Sequence, residues 1–591
     1  MSQNVIFGIN GPVVTVKNAK DFSMQEMVYV GNQRLVGEVI GITAQKTIIQ
    51  VYEVTTGLKP GEPVFPTGSP MSVILGPGIL DNIFDGIERP LKDIERQSGA
   101  FIDRGVTSDL LANDRFWEVT VAVKAGDTVT PGQIYATCPE TQIITHKCLI
   151  HPSLSGEIIE AKPDGQYKIT DVIAKLKDKK GNVHELSLFQ KWPIRVPRPV
   201  SLRKPSVTPL ITGQRVIDTL LPVAKGGTAA IPGGFGTGKT MTQHQFAKWC
   251  DADIIVYVGC GERGNEMSQV LEEFTNLIDP KSSRPLTDRT TLIANTSNMP
   301  VAAREASIYT GITLAEYYRD MGYHVAIMAD STSRWAEALR EISGRLEEMP
   351  AEEGFPAYLP SRISEFYERA GYMQTLGGQE GSITIIGAVS PQGSDFSEPV
   401  TQNTKRFTRC FLTLDKSLAY ARHYPAINWI TSYSEYVSDL EPWFAKNVDP
   451  KFIKRRSDIS NLLQEEDKLM EIVKLIGSDV LPDEQKLVIE IARVIRVGFL
   501  QQNAYHKDDT YVPLKKQFKM MNCIIRLYKK SKQLILASIP LSKISETGLF
   551  DRLIRMKYDI PNDRTELLDE LEKDIDRAMN EIVSSVGGIN P

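Results

Sequence analysis

The stretch that decides the fold is Gly233-Gly234-Phe235-Gly236-Thr237-Gly238-Lys239-Thr240, which fits the pattern G-x-x-x-x-G-K-[ST]. Its glycines permit the tight turn in which backbone N–H groups point at a polyphosphate. In such a loop the lysine reaches the terminal phosphates and the threonine hydroxyl is placed to bind Mg²⁺. Residues 229–231 predict the end of a buried strand and residues 241–249 predict a helix, whose N-terminus adds partial positive charge. The sequence therefore predicts a phosphate-binding loop.

Composition sets the class of the chain around this loop. The 591 residues are 41% hydrophobic and 24% charged, which is ordinary for a globular protein of about three or four domains. The net charge of −5 argues against a chain built to grip nucleic acid. The six scattered cysteines predict reduced thiols in a cytosolic protein. We expect neither a signal peptide nor a membrane-spanning segment, because no apolar run is long enough.

Two β-rich regions precede the loop. Short strand patterns separated by glycine turns predict a small closed barrel over residues 1–70. Isoleucines at 79, 83 and 87, with Leu80 and Phe84, recur at helical spacing and predict a core-facing helix. A second β-rich block covers residues 111–194. Part of it is similar to a lipoyl or biotinyl carrier fold, but Lys147 is badly spaced for a carrier lysine, which favours a purely structural hybrid barrel.

Apolar strands alternate with helical stretches from residue 211 to about 440, which predicts a parallel sheet covered by helices on both faces. Ligands bind such sheets at the carboxyl ends of the strands. Asp330 ends one apolar strand and is a candidate to hold a Mg²⁺-bound water beside Thr240; the alternative is a helix-capping aspartate. Glu262 ends another and is a candidate to polarise an attacking water. Arg263 is a candidate for the γ-phosphate, although a surface ion pair is the alternative for both residues.

Residues 441–591 are helical by periodicity and predict a helical bundle. Tyr424 and Tyr505 have aromatic faces that would stack on a nucleotide base, although core tyrosines are more common.

The chain resembles the catalytic A subunit of the prokaryotic V/A-type rotary ATPases. The resemblance rests on long stretches and covers nearly the whole chain. They are residues 232–240, 257–266, 294–307, 328–337 and 397–402.

This resemblance implies an N-terminal β-barrel (1–70), a RecA-like α/β nucleotide-binding domain (71–110 and 195–440), an inserted β-rich bulge domain (111–194) and a C-terminal helical domain (441–591). It implies ATP or ADP with Mg²⁺ bound at the interfaces of a ring of three A and three B subunits. The ring would surround a central shaft and join a peripheral stalk and a membrane ion-translocating sector, on the cytoplasmic side of the cell membrane. No nucleic-acid partner is expected.

Residue roles follow from the same resemblance. Lys239 and Thr240 would hold phosphates and Mg²⁺, Glu262 would position the attacking water, and Arg263 would sense the γ-phosphate. Asp330 would support the metal through its water. Tyr424 and Tyr505 match adenine-pocket positions, and residues 478–486 match a shaft contact. An arginine finger would come from the B subunit.

Two loop positions depart from the family pattern. Thr237 stands where eukaryotic members have a cysteine that forms a regulatory disulfide, so that form of redox control is not expected. Gly234 replaces a residue that is often proline or alanine. Two other functions stay open: a different RecA-like hexameric motor, such as a secretion ATPase or a nucleic-acid translocase, and a non-catalytic nucleotide-binding subunit. The coupled ion and the direction of the reaction are not encoded in this chain.

Overall fold

The computed structural model describes residues 4–17, 21–99, 102–106, 111–279, 282–478 and 480–585. The chain divides into two compact units, each built from discontinuous stretches. The first contains the described residues of Met1–Pro205, Lys225–Ala230 and Ala252–Thr408. The second contains those of Ser206–Ala224, Ile231–Asp251 and Arg409–Pro591.

The first unit begins with a six-stranded antiparallel sheet in the order β1-β2-β5-β4-β3-β6. A bridge between Val5 and Pro63 joins the two ends of the sheet, so the predicted barrel is confirmed. Alternating apolar residues fill its interior, among them Val14, Val28 and Ile49. The strands are β1 (Ile6–Asn10), β2 (Val13–Val16), β3 (Glu26–Val30), β4 (Leu35–Ile42), β5 (Thr47–Val51) and β6 (Val64–Pro70).

The inserted block consists mainly of two four-stranded antiparallel sheets, β10-β13-β15-β16 and β12-β11-β9-β14. Lys147 lies within a strand rather than at a hairpin tip, and its Nζ donates to the backbone oxygen of Met321 at 2.7 Å. The elements of this stretch are β7 (Ser72–Leu75), β8 (Ile83–Phe84), α1 (Leu91–Ser98), β9 (Phe116–Val121), β10 (Thr128–Val129), β11 (Ile134–Pro139), β12 (Thr145–Leu149), β13 (Gly156–Ala161), β14 (Gly165–Lys168), β15 (Ala174–Asp178), β16 (Val183–Leu186) and β17 (Gln190–Pro193).

The predicted helix over residues 79–87 is wrong. The segment is irregular apart from β8, which pairs in parallel with Leu292–Ile293. Its side chains are directed into the core as expected, but Asp81 and Glu88 have positive φ, a conformation that a right-handed helix excludes. Helical spacing over nine residues is satisfied equally well by an irregular segment with several buried side chains.

The chain then runs through the elements that surround the phosphate loop. They are β18 (Leu202–Lys204), β19 (Pro209–Leu210), β20 (Val223–Ala224), β21 (Thr228–Pro232), α2 (Lys239–Trp249), β22 (Ile254–Glu262), α3 (Gly264–Asn276), β23 (Thr290–Thr296), α4 (Val301–Asp320), β24 (His324–Asp330), α5 (Thr332–Arg345), α6 (Leu359–Glu368), β25 (Gly371–Gln374), β26 (Glu380–Val389), α7 (Pro399–Phe407), β27 (Cys410–Phe411), α8 (Lys416–Tyr420), β28 (Tyr433–Ser434) and α9 (Val437–Asn447). Short 3₁₀ turns cover Leu286–Arg289, Glu352–Gly354 and Gln392–Ser394.

A parallel sheet forms the centre of the first unit, with the order β26-β24-β22-β23-β8. Its strands are almost entirely buried, as apolar parallel strands require. In the register of β22 and β24, Gly259 lies opposite Asp330, so β22 extends beyond this pairing to Glu262. Both predicted carboxylates therefore lie at the carboxyl edge of one sheet.

Helices dominate the second unit, as predicted. They are α10 (Phe452–Ile476), α11 (Asp483–Arg493), α12 (Leu514–Leu536), α13 (Leu541–Ser545), α14 (Leu549–Asp559) and α15 (Glu566–Ser585). Two stretches, Val216–Leu220 and Val494–Leu500, are wound as π-helix. Between the second of these and α12, residues 501–513 contain no helix or strand.

Candidate nucleotide site

The phosphate loop lies in the second unit, between the end of β21 and the start of α2 at Lys239. Gly236 and Gly238 have φ of 78° and 87°, which explains why glycine is needed at both. The Lys239 ammonium donates to the backbone oxygens of Gly233 at 2.9 Å and Gly234 at 3.3 Å. The lysine is therefore held across the mouth of its own loop.

Thr237 has a structural function at the position where cysteine was a family alternative. Its side chain is buried, and its hydroxyl donates to the backbone oxygen of Gly234 at 2.8 Å. A Cβ at Gly233 would lie 2.6 Å from this hydroxyl oxygen, so the loop is closely packed at its base. Phe235, by contrast, is 81% exposed.

Beside the loop, the second unit contains a cavity of about 500 Å³. Tyr424 and Tyr505 both line it, together with Gly236 and Gly238 of the loop. The two tyrosines are exposed, Tyr505 to 90%, so their ring faces are accessible to a ligand. The remaining lining residues, which were given no role from sequence, are Gln214, Ile217, Met241, Thr242, Gln245, Arg422, Pro425, Gln501, Gln502, Asn503, Ala504, Thr510 and Tyr558.

The carboxylate edge lies in the first unit. Asp330 is buried and accepts a hydrogen bond from the Tyr257 hydroxyl at 3.2 Å. Burial, the charge of Asp330 and a hydrogen bond with Glu266 raise the pKa of Glu262 to about 8. Glu262 is therefore poised to exchange a proton near neutral pH, a property typical of functional carboxylates.

Arg263 and Arg334 are the cations near Glu262 along the chain and in space. Arg263 immediately precedes α3 and is exposed, with Nη1 3.9 Å from Glu266 Oε1. Arg334 was part of a quoted motif but received no predicted role. It forms an ion pair with Glu337 at 2.9 Å, and its charge counteracts the upward shift of the Glu262 pKa.

Gly261 explains how these groups come together. Its φ is 74°, and an added Cβ would lie 2.7 Å from Cβ of Arg334. Glycine thus allows the end of β22 to pass close to α5 and turn Glu262 out of the sheet. The structure groups the predicted residues in two sets: the loop with both tyrosines in the second unit, and Glu262, Arg263 and Asp330 in the first.

Comparison with known proteins accounts for most of the chain. The nucleotide-binding domain of the ATP synthase alpha/beta family matches residues 213–434. The β-barrel domain of that family matches residues 6–68, and its barrel-sandwich domain matches residues 108–195. The C-terminal domain of V and A type ATP synthase matches residues 441–545.

Full-length relatives agree. The V-type ATP synthase alpha chain of Halothermothrix orenii is 60% identical over 575 residues, which are 97% of this chain and 98% of that protein. The chain belongs to the V-type and A-type ATP synthase alpha (A) family. The V-type ATP synthase alpha chain 2 of Clostridium tetani is 58% identical over 98% of each chain. An A-type ATP synthase chain of the same kind, from Methanopyrus kandleri, is 53% identical over 98% of each chain. The family resemblance, the fold class and the assignment as an ATP synthase or ATPase enzyme that binds ATP or ADP are confirmed.

The fold of this family is shared more widely. The assembled ATPase of the type III secretion system of enteropathogenic E. coli has a TM-score of 0.63 and 20% identity, covering 88% of this chain and 100% of that one. Such a likeness shows a common fold. Among the residues that the structure describes, no helix is long and apolar enough to cross a bilayer.

Proposed function

We propose that this chain is the catalytic subunit of a rotary ATPase, in which ATP is hydrolysed or synthesised at interfaces with a B subunit. The observation that carries the proposal is the pKa of Glu262, raised to about 8 beside Asp330 at the end of a parallel strand. An unneutralised carboxylate in this position is suited to orient and polarise a water molecule. The phosphate loop and the cavity lined by Tyr424 and Tyr505 would hold the nucleotide.

The oxygen donors present suit Mg²⁺. Thr240 supplies a hydroxyl in the first turn of α2, and Asp330 supplies a buried carboxylate. When bound, Mg²⁺ neutralises charge on the phosphates. Lys239 would bind the terminal phosphates, and Arg263 would contact the γ-phosphate. Glu262 in its ionised form would accept a hydrogen bond from the attacking water.

Within the proposed assembly, three A and three B subunits alternate around a central shaft. A peripheral stalk and a membrane sector would couple ATP turnover to H⁺ or Na⁺ transport on the cytoplasmic side of the membrane. Residues 478–486 are the proposed shaft contact, of which Asp479 lies outside the described residues. The domain boundaries given above likewise stay a prediction.

The test is the Mg-ATPase activity of the chain mixed with its B subunit. We expect Glu262→Gln to lower turnover by about 10²–10⁴-fold while ATP still binds, because the amide cannot act as a base. Glu266→Gln is the matched control, since it removes a neighbouring carboxylate and should retain turnover. Efficient hydrolysis by the chain alone, or full activity of Glu262→Gln, would instead favour a self-assembling motor.

A further inference from the structure

The wall of the nucleotide cavity that contains Tyr505 lies in the irregular connection after Leu500. Residues 501–505 all line the cavity, yet no helix or strand fixes them. A segment without regular structure needs other contacts to maintain one conformation, because each ordered residue costs about 1–2 kcal/mol of backbone entropy. The contacts that hold this segment therefore determine the shape of the cavity.

Arg215 contacts the segment at both ends. Its guanidinium is fully buried and donates to the backbone oxygens of Phe499 and Gln501, the latter at 2.8 Å. It also donates to the Asp509 carboxylate at 2.6 Å. A planar guanidinium with five N–H donors in fixed directions is suited to hold three acceptors together. Arg215 does not line the cavity.

Asp509 and Gln502 extend this network toward the two tyrosines. The second carboxylate oxygen of Asp509 accepts from the backbone N–H of Asn503 at 2.7 Å. The Gln502 side-chain oxygen accepts from the backbone N–H of Arg215 at 2.8 Å. The backbone N–H of Gln502 donates to the oxygen of Tyr424 at 2.8 Å. The chains of hydrogen bonds that begin at Arg215 thus reach both aromatic sides of the cavity.

Lys557 on α14 adds a second buried cation. Its ammonium donates to the backbone oxygens of Val497, at 2.6 Å, and Gln501, at 3.1 Å. Burial lowers the pKa of Lys557 to about 8. Two cations from separate elements therefore converge on the carbonyl of Gln501, where the cavity wall begins.

We propose that Arg215, paired with Asp509, is a positioning residue that builds the base-binding part of the nucleotide site without touching the nucleotide. This inference rests on the proposed function, since it assumes that the cavity binds a nucleotide base. Its effect falls on the base and leaves the phosphate loop unchanged, because the contacts of the guanidinium go to the 499–509 segment. Lysine would not replace it, because one ammonium cannot reach three divergent acceptors.

The experiment compares binding of ATP with binding of tripolyphosphate, which has no base, by the full chain. We expect Arg215→Lys to weaken ATP binding by about 10–100-fold and to change tripolyphosphate binding by less than about 2-fold. In amide hydrogen exchange, residues 501–505 should become less protected while α2 is unchanged. Arg289→Lys is the matched control: it alters another buried arginine, paired with Asp279 at 3.2 Å, and should leave both affinities unchanged.

Unchanged ATP affinity in Arg215→Lys would overturn the proposal, as would an equal loss of ATP and tripolyphosphate. If Arg215→Lys does not fold, Asp509→Asn carries the same comparison, and failure of both variants to fold would also contradict a role confined to the base. The proposed function fails separately: wild-type chain that binds no ATP, or Glu262→Gln with normal turnover, would refute it whatever Arg215→Lys does.

Discussion

Two buried glutamates of the first unit, Glu140 and Glu262, are surrounded in opposite ways. Glu140 follows β11 and is 4% exposed. Burial alone would raise its pKa, but hydrogen bonds from its neighbours lower the pKa below the ordinary value. Its carboxylate contacts the backbone N–H groups of Gly78 (2.9 Å), Ile79 (3.0 Å) and Leu80 (3.1 Å), the Tyr318 hydroxyl (2.8 Å) and His146 Nδ1 (3.1 Å).

Glu262 lies instead beside two other carboxylates. Asp330 and Glu266 add to the effect of burial, and the pKa rises to about 8. The difference teaches which carboxylate is available for chemistry. Glu140 already has a full set of donors and connects the inserted block to α4. Glu262 still gains by binding a cation, a proton or a polarised water, which is the property a catalytic group requires.

The largest effect should separate the two glutamates by stability. Glu140→Gln should lower the free energy of unfolding by about 2–4 kcal/mol, because an amide NH₂ would be buried against N–H donors. Glu262→Gln should cause no comparable loss. Thermal unfolding of the nucleotide-free chain measures both. Equal destabilisation by the two variants would remove the distinction between them.

The pH dependence of stability should have opposite signs at the two sites. The folded state retains the Glu262 proton up to about pH 8, so stability falls as pH rises from about 4.5 to 8. Glu262→Gln lacks this loss, and its melting temperature should gain about 1–3 °C on wild type by pH 8.

Glu140 has a lowered pKa, so its contribution is present above about pH 4.5 and is lost as pH falls below that value. The destabilisation of Glu140→Gln should therefore shrink in acid. Scanning calorimetry of both variants from pH 4 to 9 makes the comparison, and parallel pH curves would contradict it.

The smallest effect concerns the environment of Glu262. Glu266 raises the pKa of Glu262 by hydrogen bonding and by charge, so Glu266→Gln should lower that pKa by about 0.5–1 unit. Because ionised Glu262 is the active form, the rising limb of the turnover–pH profile should shift to lower pH by the same amount, with an unchanged plateau. Glu337→Gln provides the control, since Glu337 pairs with Arg334 instead. A shift to higher pH would show that Glu266 acts differently.

Local sequence patterns were sufficient where a function depends on neighbouring residues. The loop of residues 233–240 and the strand ends at Glu262 and Asp330 were predicted because turn glycines and apolar strands are local signals. Their individual chemical roles stay predictions. The segment 79–87 was misread because a burial pattern does not specify backbone conformation.

Long-range partners were beyond reach of the sequence. Arg215 and Asp509 are separated by 294 positions, and neither belongs to a recognised motif. A buried arginine and a buried aspartate have no periodicity that reveals their pairing. The same holds for Glu140 and Tyr318, which meet only after the inserted block has folded against α4.

The contact of Lys557 with Gln501 has a mechanical consequence. Its ammonium connects helix α14 to the backbone at the start of the cavity wall through one short side chain. A shift of α14 by an ångström would have to stretch that hydrogen bond or move the wall by a similar distance. The C-terminal helices and the edge of the cavity therefore form one stiff element, through which force applied to the helices changes how tightly a base is held.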